Sequence, residues 1–506
     1  MSDHMMRLAP KTLGALFQGL AELPHELTII PCQRLVMDSR DVQSGDVFVA
    51  MAGDRHHGVQ FLNSAVNTGA IAAVAEAPVD LPNAPPIPVT QVQGLREMLP
   101  EIARRLSGAA TDALWTIGVT GTDGKTSVSY FLSQALNSQN HRFGLLGTLG
   151  NGYPDALEPS SHTTKDVLSL HAAMAGFLAD GAEGVALEVS SHALDQQRVA
   201  GLAFDVAVLT QLGRDHLDYH GTQEAYALAK RQLFYWPGLH WRVINADDPF
   251  GRSLLARPTG EASDLAYGLN PMLVRGAADH VLFAKAIHPY RDGIEVVFDG
   301  SWGHGLMRTG LLGRFNVANL LAVLGVLLIR GFTLKQSLRL IEGVESAPGR
   351  MQRLGGGDKP TVVVDYAHTP GALKSAIEAI RAHVTGRLIT VFGCGGDRDK
   401  GKRPLMGEVA ATLSDRVWVT DDNPRTEDPD AIVAEIMAGV PEANRANVTV
   451  ERDRARAIDH AINEATSSDI VLVAGKGHET VQLIGVQRIP FSDVECAQRS
   501  LEGFEA

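Results

Sequence analysis

The sequence predicts an α/β protein built from three domains. Its 506 residues suggest about three domains at roughly 150 residues each, because one hydrophobic core seldom grows beyond about 250–300 residues. Short apolar runs alternate with helical stretches from about residue 98 onward, the rhythm of mostly parallel sheets covered by helices on both faces. The proline-rich connector LPNAPPIPV marks one boundary, since proline fixes φ and lacks an amide hydrogen. We therefore place the domains at 1–97, 98–347 and 348–506.

Composition and charge limit the class of protein. The chain is 45% hydrophobic and 20% charged, which excludes disorder, collagen and coiled coil. A net charge of −13 argues against nucleic acid as a partner. Three cysteines without CxxC spacing indicate a reducing compartment. Residues 1–10 lack the apolar core of a signal peptide, and the longest apolar run, 320–329, is far shorter than the about 20 residues of a membrane span. We expect a cytoplasmic protein with no membrane span.

Each domain has its own pattern of strands and helices. In the first, DVFVAM alternates like a strand and FLNSAVNTGAIAAVAEA reads as a helix leading into a strand. In the second, the strand LWTIGVT leads into the glycine-rich turn GTDGKTS. The third repeats strand and helix through TVVVDYA, RLITVFGC, RVWVTDD and IVLVAGKG, which predicts a Rossmann-like domain. Such sheets bind ligands beyond the carboxyl ends of their strands, where GCGGDRDKGKR, TDDNPRTEDP and GKGHE lie.

The turn after LWTIGVT predicts a phosphate-binding loop. Gly121 and Gly124 precede Lys125 and Thr126, so that backbone N–H groups can converge on phosphate oxygens, with the lysine as a charge and the threonine hydroxyl as a Mg²⁺ ligand. The usual spacing would place glycine where Val119 stands. The alternative is a tight strand-to-helix turn with an exposed lysine. By itself the motif fits a kinase, a GTPase or a ligase.

Acidic and imidazole side chains recur at later strand ends. Glu188 lies in LEVSSHAL, and Asp215 and His216 lie in GRDHLDYHG. A carboxylate at a strand end is a suitable Mg²⁺ ligand, although a lone Glu or His in such a place is more often structural. Spacing alone does not choose between the two interpretations.

Ordered motifs along the chain resemble those of one known family. GVTGTDGKT, LEVSSHALDQQR, GRDHLDYHGTQEAYALAK, NADD, GRFNVANLLAV, PGRMQ, VDYAHTPGAL and DNPR follow one another, and together they resemble the Mur ligase family. These are ATP-dependent amide-forming enzymes that build the peptidoglycan stem peptide, with folylpolyglutamate synthetases as relatives. The resemblance runs from Asp38 to Glu495 and is greatest to the members that add the third residue. It implies an N-terminal UDP-sugar domain, a central P-loop ATPase and a C-terminal Rossmann-like domain for the incoming amino acid.

The resemblance also implies roles for individual residues. The residues implied to be catalytic are Lys125, Glu188, His216 and Lys230. ATP would be bound by Gly121, Thr122, Asp123, Gly124, Lys125, Thr126, Ser127, Asn245, Asp247, Asn316 and Asn319. Two Mg²⁺ ions would be held by Thr126, Glu188, His216 and Lys230, the lysine being modified to a carbamate (N6-carboxylysine). The UDP-MurNAc-dipeptide would be bound by Met37, Ser39, Thr163, Thr164, Ser190, Gln196 and Arg198. Without the family context, Lys230 reads as a surface helical lysine and each Asn as a cap or turn residue.

Charge arithmetic then favours one amino acid. Meso-diaminopimelate carries a second amino-acid head with a carboxylate, whereas lysine ends in a bare ammonium. Arginine binds such a carboxylate through two hydrogen bonds, and lysine-adding relatives lack the arginine of the DNPR motif. The residues expected to bind diaminopimelate are Arg398, Asp422, Asn423, Pro424, Arg425, Gly475 and Glu479. The alternative for DDNPRTEDP is a charged turn after a strand.

The expected function is therefore an ATP-dependent ligase that adds meso-diaminopimelate to UDP-MurNAc-L-Ala-D-Glu through an acyl phosphate. We expect a monomer. The alternatives are a lysine-adding ligase of the same family and a P-loop small-molecule kinase. The chain departs from the family pattern at Asp123 and Gln211, where Asn is common, at Gly213, where Ser is common, and at Lys165, where Pro is usual. The extra charge of Asp123 is tolerable near phosphates if it faces away or meets a cation.

Overall fold

The strands and helices below come from a computed structural model that describes residues 11–53, 56–108, 110–138, 141–160, 162–257 and 260–504. The prediction that residues 1–10 lack a signal peptide lies outside the described residues. Contacts divide the chain into two units. The first comprises Met1–Lys125, Leu136–Ile244 and Asp248–Asp264, and the second comprises Thr126–Ala135, Asn245–Asp247 and Leu265–Ala506. Among the described residues, no helix has the length and apolar character needed to cross a bilayer.

The first unit begins with a small parallel sheet in the strand order β3-β4-β5-β6. Its elements are β1 (Lys11–Thr12), α1 (Leu13–Phe17), α2 (His25–Thr28), β2 (Pro31–Cys32), β3 (Leu35–Val36), β4 (Val47–Ala50), α3 (Leu62–Thr68), β5 (Ala72–Ala77), β6 (Val89–Gln93) and α4 (Leu95–Ser107). Successive residues of β4 and β5 point to opposite faces. Val47 and Val49 join one buried cluster, and Phe48 and Ala50 join another, so the sheet is buried on both sides.

A second sheet of the first unit places the glycine-rich turn at its centre. Its elements are β7 (Trp115–Thr120), β8 (Phe143–Gly147), β9 (Gly150–Tyr153), β10 (Ala156–Glu158), α6 (Val167–Ala179), β11 (Gly184–Glu188), α7 (Ser191–Asp195), β12 (Val206–Leu209), α8 (Leu217–His220), α9 (Gln223–Arg231), β13 (Trp241–Asn245) and α10 (Pro249–Leu255). Helix α5 (Lys125–Asn137) follows the turn after β7, and its residues Thr126–Ala135 belong to the second unit. The strand order is β10-β9-β8-β11-β7-β12-β13. Strand β7 lies between β11 and β12 and is parallel to both, so the chain leaves β7 at a reversal of strand order, where such sheets bind ligands.

The second unit begins with an antiparallel region that the sequence analysis did not find. Its elements are β14 (Ser263–Gly268), α11 (Pro271–Val274), β15 (His280–Tyr290), β16 (Gly293–Gly300), β17 (Gly305–Thr309), α12 (Arg314–Ile329) and α13 (Leu334–Glu342). Strands β15, β16 and β17 form an antiparallel meander. The apolar run 320–329 lies in α12, whose residues from Leu320 to Leu328 are all buried, so its hydrophobicity serves a protein core.

The remainder of the second unit is a doubly wound sheet. Its elements are β18 (Gln352–Gly355), β19 (Thr361–Asp365), α14 (Pro370–Arg381), β20 (Leu388–Phe392), α15 (Lys402–Leu413), β21 (Arg416–Val419), α16 (Pro429–Ala438), β22 (Val448–Val450), α17 (Arg454–Asn463), β23 (Ile470–Ala474), β24 (Val481–Ile484), β25 (Gln487–Pro490) and α18 (Asp493–Glu502). The strand order is β18-β19-β23-β20-β21-β22, with β18 antiparallel and the others parallel. Helices α14, α15 and α16 pack on one face and α17 and α18 on the other. The predicted α/β fold with mostly parallel sheets is confirmed, while the three domain boundaries stay a prediction.

Candidate functional site

The phosphate loop, residues 121–124, joins β7 to α5 through glycines that no other residue could replace without strain. Gly121 and Gly124 have φ values of +149° and +86°, a region that L side chains rarely adopt. A Cβ at Gly121 would overlap the Thr210 hydroxyl. The loop ends at the first turn of α5, where backbone N–H groups have no helical acceptor and suit an anion.

Two lysines converge on one carbonyl oxygen of this loop. Nζ of Lys125 donates to the Gly121 oxygen at 3.0 Å and to the Thr122 oxygen at 2.9 Å. Nζ of Lys230, on α9, donates to the same Gly121 oxygen at 2.8 Å and lies 4.7 Å from the centre of the Tyr226 ring. Lys230 is only 1% exposed, which contradicts the reading of it as a surface lysine. Burial, and then the Lys125 charge, lowers the pKa of Lys230 well below its ordinary value, so its uncharged, nucleophilic form is favoured.

Glu188 ends β11 as a buried carboxylate held by the turn after β8. Its oxygens accept from the Thr148 amide at 2.8 Å and from the Thr148 hydroxyl at 3.1 Å. A Cβ at Gly147 would overlap the carboxylate, so glycine is needed there for this close approach. The Glu188 main-chain oxygen accepts from the Thr164 hydroxyl at 2.7 Å. The side chain is thus fixed at the carboxyl edge of the sheet.

Most residues predicted to bind the UDP-sugar peptide form one network beside Glu188. Oγ1 of Thr164 lies 3.3 Å from Oγ of Ser190, and the Thr164 main-chain oxygen accepts from the Arg198 guanidinium at 3.0 Å. Arg198 also donates to Oε1 of Gln196 at 3.0 and 2.6 Å. Thr163 contacts the Thr148 hydroxyl at 3.1 Å. The tertiary structure therefore brings together five of the predicted residues.

Met37 and Ser39, the other two residues predicted to bind the UDP-sugar peptide, follow β3 in the first unit. Ser39 is 8% exposed, and its main-chain oxygen accepts from the Thr68 hydroxyl at 3.3 Å. Met37 packs against the buried cluster that also contains Val167 and Leu168 of α6. Between them, the pKa of Asp38 is lowered mainly by its hydrogen bond from Arg40, with a smaller contribution from His162. Asp38 therefore interacts electrostatically with His162, the residue that precedes Thr163.

His216 belongs to a histidine cluster that the sequence analysis found only in part. It has a left-handed φ of +53° and begins α8, with its ring 4.8 Å from that of His192. The His192 ring lies 5.5 Å from that of His220, and Nε2 of His220 is 3.0 Å from the Ser191 hydroxyl. The close HxxxH spacing in HLDYH was the available signal for His220. Within the described ranges, no group of three or more His, Cys, Asp or Glu side chains is arranged to hold a metal ion.

Two of the departures from the family pattern contact each other. Nε2 of Gln211 donates to Oδ2 of Asp123 at 2.6 Å, so the exposed carboxylate accepts a hydrogen bond from a neutral amide. The amide of Gly213 donates to the Thr122 hydroxyl at 2.8 Å. Gln211, which follows β12, thus hydrogen-bonds to Asp123 of the phosphate loop.

The residues predicted around adenine and ribose have local partners in the second unit. Nδ2 of Asn316 donates to the Leu312 oxygen at 2.8 Å, and Nδ2 of Asn319 donates to Oδ1 of Asn316 at 3.1 Å. Asp247 accepts from the amides of Leu269 and Asn270 at 2.5 and 3.1 Å. Such contacts are those expected if these residues serve as cap or turn residues, the alternative given in the sequence analysis. The ATP-binding role of these residues stays a prediction.

Asn245, Thr126 and Ser127 complete the predicted nucleotide set. Oδ1 of Asn245 accepts from the Asp247 amide at 3.0 Å. Thr126 is 9% exposed in the first turn of α5, and its main-chain oxygen accepts from the Ser129 hydroxyl at 3.2 Å. Ser127 follows in the same turn. Their roles toward ATP and Mg²⁺ likewise stay predictions.

The residues predicted to bind the amino acid meet at the carboxyl ends of adjacent strands β23, β20 and β21. Asn423 donates through Nδ2 to Oε2 of Glu479 at 2.9 Å. Nζ of Lys476 donates to Oδ1 of Asn423 at 2.9 Å and to Oε2 of Glu479 at 3.1 Å. Gly475 has a φ of +122°, and a Cβ there would lie 2.6 Å from Oδ2 of Asp422. Burial raises the pKa of the Asp422 carboxyl. Lys476 was missed although it stands inside the GKGHE motif.

Arg425 and Arg398 lie on two loops that contact each other. The half-buried Arg425 donates through Nη1 to the Gly396 oxygen at 2.7 Å, and its amide donates to the Leu483 oxygen of β24 at 3.0 Å. Pro424 precedes it, and a Cβ at Gly396 would overlap the Pro424 oxygen. Arg398 is exposed and contributes to the electrostatic environment of Tyr366, which follows β19. The two guanidinium groups thus stand at the same end of the sheet as Glu479.

Comparison with known proteins identifies the family. Residues 119–327 match the Mur ligase middle domain, 349–477 match the Mur ligase glutamate ligase domain, and 32–106 match the Mur ligase family catalytic domain. The UDP-N-acetylmuramoyl-L-alanyl-D-glutamate–2,6-diaminopimelate ligase of Pseudomonas aeruginosa is 49% identical over 98% of this chain and 99% of its own length. The chain belongs to the Mur ligase family.

Two further relatives extend over nearly the whole Mur ligase chain. The ligase of the same name from Alkalilimnicola ehrlichii is 48% identical over 93% of this chain and 95% of its own length. A solved structure of a protein with that name superposes with a TM-score of 0.70 at 35% identity, covering 98% of this chain and 99% of the other. The resemblance stated from the motifs is confirmed, and with it the ATP dependence that is general to these ligases.

Proposed function

We propose that this Mur ligase joins meso-diaminopimelate to UDP-MurNAc-L-Ala-D-Glu at the expense of ATP, a step of peptidoglycan precursor synthesis. The observation that carries the proposal is the grouping of Asp422, Asn423, Arg425, Gly475 and Glu479 at one end of the second unit's parallel sheet. The names of the relatives with 48% and 49% identity agree with it. With Lys476, which donates to Asn423 and Glu479, the group has two cations and two carboxyl groups, which suit a ligand that is itself a double zwitterion.

Arginine distinguishes diaminopimelate from lysine. Arg425 uses Nη1 for the Gly396 oxygen, and a guanidinium has further N–H donors for a carboxylate. Lysine lacks the distal carboxylate and would leave that guanidinium without its ligand. Glu479 accepts the distal ammonium through the oxygen that Lys476 and Asn423 do not occupy.

The reaction has two steps. The γ-phosphoryl group of ATP passes to the D-glutamate carboxylate, which gives an acyl phosphate and ADP. The diaminopimelate amine then attacks the acyl carbon, loses a proton and expels inorganic phosphate, leaving an amide. Phosphorylation supplies the leaving group that a carboxylate lacks, so the protein's tasks are to position anions and to neutralise their charge.

The residues of the first unit supply that neutralisation. The loop amides and Lys125 bind phosphate oxygens. To do so, Lys125 gives up its hydrogen bonds to the carbonyl oxygens of Gly121 and Thr122. Arg198 keeps one hydrogen bond to Thr164 and two to Gln196 and adds positive charge for the anionic UDP-sugar peptide. Ser190 and Thr163 donate hydroxyl hydrogen bonds to it, while the Thr164 hydroxyl, which donates to the Glu188 oxygen, holds this network in place.

The residues present fit Mg²⁺ when Lys230 is a carbamate. Magnesium takes oxygen ligands, which an amine does not provide. The uncharged amine of Lys230, which burial favours, would attack the carbon of CO₂ and release one N–H proton to water, giving a carbamate anion whose oxygens would join Glu188, His216 and Thr126 as ligands. When bound, Mg²⁺ polarises and neutralises the phosphate oxygens. Conversion to an anion also relieves the repulsion between Lys230 and Lys125 at the Gly121 carbonyl.

Two further features belong to the proposal. The enzyme acts as a monomer in the cytoplasm, where ATP and UDP-sugars are made. Nucleic acid is not a partner, since the net charge of −13 repels a polyanion.

Phosphate release tests the function directly. The protein is incubated with ATP, Mg²⁺ and UDP-MurNAc-L-Ala-D-Glu, together with meso-diaminopimelate, L-lysine, L-ornithine or D-Ala-D-Ala in separate reactions. Phosphate release and a UDP-tripeptide product are expected with diaminopimelate alone. Turnover with lysine at an equal rate would contradict the assignment of the amino acid. Phosphorylation of a hydroxyl without amide formation would point to a kinase.

A further inference from the structure

Glu427 lies between the two arginine-bearing loops and an interior arginine. Its carboxylate accepts from Arg403 twice, Oε2 from Nη1 and Oε1 from Nη2, each at 3.0 Å. The Arg403 side chain is fully buried in the first turn of α15, whereas that of Glu427 is 16% exposed. Nη2 of Arg403 also donates to the Gly395 oxygen at 3.2 Å. One guanidinium therefore binds residues of both the 395–400 loop and the 422–427 loop.

Glu427 also binds the 395–400 loop itself. Its Oε1 accepts from the Asp397 amide at 2.6 Å, and Nζ of Lys400 lies 3.4 Å from Oε2. In the opposite direction, the Asp397 carboxylate accepts from the Thr426 hydroxyl at 2.7 Å and from the Thr426 amide at 3.2 Å. The loop that carries Arg398 is thus bound to the loop that carries Arg425 through contacts on each side.

Both loops hold a strained residue where they meet. Asp397 and Arg425 have left-handed φ values of +54° and +52°, which cost free energy for residues other than glycine and persist where the surroundings impose them. The contacts of Glu427 and Thr426 with Asp397, and of Arg425 with Gly396, are what impose them here. Without these contacts, either backbone would relax to an ordinary φ value, and Arg398 or Arg425 would change its orientation.

We propose that Glu427, bound by Arg403, is a positioning residue that sets the spacing of Arg398 and Arg425 and thereby the affinity for the amino-acid substrate. The proposal rests on the proposed function, because the affinity in question is that for diaminopimelate. Glu427 acts through the loops and binds no substrate itself. Sequence analysis missed it because TEDP reads as a charged turn.

Charge and position predict opposite effects for the loss of this carboxylate. Glu427 is a negative charge near two cations that bind a carboxylate, so its neutralisation by itself would strengthen the binding of diaminopimelate. Loss of position weakens the binding, because small displacements of a binding group remove its hydrogen bonds. The sign of the change in KM therefore separates the two explanations.

Glu435 offers a matched control. Its carboxylate, on α16, accepts from Nη1 of the same Arg403 at 2.7 Å and is 37% exposed. E427Q and E435Q each remove one negative charge from one guanidinium, and Glu427 is the one that also binds the Asp397 amide. A role limited to stabilising Arg403 would affect both variants in the same way, and at most about twice as strongly for Glu427, which accepts two of the three hydrogen bonds that Arg403 donates to these carboxylates.

The experiment measures phosphate release by the full-length wild type, E427Q and E435Q with diaminopimelate or ATP as the varied substrate. For E427Q the KM for diaminopimelate is expected to rise by about 10-fold or more, with the KM for ATP within about 2-fold of wild type. For E435Q both are expected to stay within about 2–3-fold, and E427D is expected to recover part of the loss. A fall in the KM for diaminopimelate in E427Q, or equal rises in E427Q and E435Q, would overturn the proposal.

Two additions keep the result decisive. Should E427Q unfold, Thr426→Val is used instead, because it removes the hydroxyl contact with Asp397 from an exposed position. A rise of about 3-fold in the KM for diaminopimelate is expected for this variant. An unchanged KM would overturn the proposal. The wild type is assayed first with diaminopimelate and with lysine. Failure to use diaminopimelate would refute the proposed function, whereas the positioning role is refuted by the variants alone.

Discussion

In the first unit, Lys125 and Lys230 both donate to the Gly121 carbonyl, whereas at the carboxyl end of the second unit's parallel sheet Lys476 pairs with Glu479 and Arg403 with Glu427. The first arrangement brings two lysine side chains to one carbonyl oxygen of a glycine-rich loop. The second distributes charge among ion pairs that organise one another. An anion that binds at the glycine loop pairs with lysine charge there. A zwitterion that binds in the second unit must place its own charges beside ion pairs that already exist.

The difference teaches where each region draws its specificity. A polyphosphate is recognised by total charge and by backbone N–H groups, so small displacements of one side chain are tolerated. An amino acid with two carboxylates and two ammonium groups is bound through the spacing of single hydrogen-bonding groups, so that a small displacement of one group matters. Substitutions in the first region should therefore change turnover or the KM for ATP, and those in the second should change the KM for diaminopimelate.

The largest effect is expected for Lys230→Ala. Loss of the carbamate would remove an anionic ligand of Mg²⁺, so kcat is expected to fall by about 10²–10³-fold, with partial recovery by short carboxylic acids. Because burial lowers the pKa of Lys230 and so favours the uncharged amine that captures CO₂, removal of bicarbonate should also lower wild-type activity reversibly. Phosphate release measures both. Lys374→Ala, at an exposed lysine paired with Glu378, is the control. Full activity of Lys230→Ala without added carboxylic acid would refute the role of Lys230 in binding Mg²⁺.

A smaller and more selective effect is expected for Arg425→Ala. Charge-assisted hydrogen bonds contribute about 1.5–3 kcal/mol each, so the KM for diaminopimelate is expected to rise by about 10–100-fold while the KM for ATP changes little. Discrimination against lysine should fall with it. Arg445→Ala, at an exposed arginine paired with Glu442, is the matched control. An unchanged KM for diaminopimelate would remove the argument for the amino acid.

The smallest effect is expected at the pair of Asp123 and Gln211. Asp123→Asn removes a negative charge from the phosphate loop and should lower the KM for ATP by about 2–3-fold, since the site is exposed and screened. Gln211→Ala should raise that KM in the wild type but not in Asp123→Asn, because the amide then has no carboxylate to offset. A double-mutant cycle measures the coupling. Strict additivity would show that the 2.6 Å contact is without consequence.

The sequence predicts best those features that are local in the chain. The phosphate loop follows from Gly121, Gly124 and Lys125 within a few residues, and the alternation of strands and helices predicts the parallel sheets. The antiparallel strands β15–β17 were missed because a strand pattern does not state the direction of its neighbour. The family motifs supplied the residues of the UDP-sugar network, yet their connections, such as that of Arg198 to Thr164, join separate elements.

Other residues could not be found without the fold. Glu427 and Arg403 lie 24 positions apart, and neither a turn motif nor the first turn of a helix indicates an ion pair between them. Lys230 lies 109 positions from Gly121, so its burial against the loop could not be read from the helix that carries it. In each case the deciding quantity is a distance set by packing.

The sequence by itself determined the class of fold, the phosphate loop and the family, because these depend on local spacing, periodicity and ordered motifs. The tertiary structure alone decided that Lys230 is buried beside Lys125, that Gln211 offsets Asp123, and that Glu427 joins two loops. Those facts depend on which strand ends meet at one edge of a sheet. Coulomb energy and hydrogen bonding act over a few ångströms in space, whatever the separation along the chain.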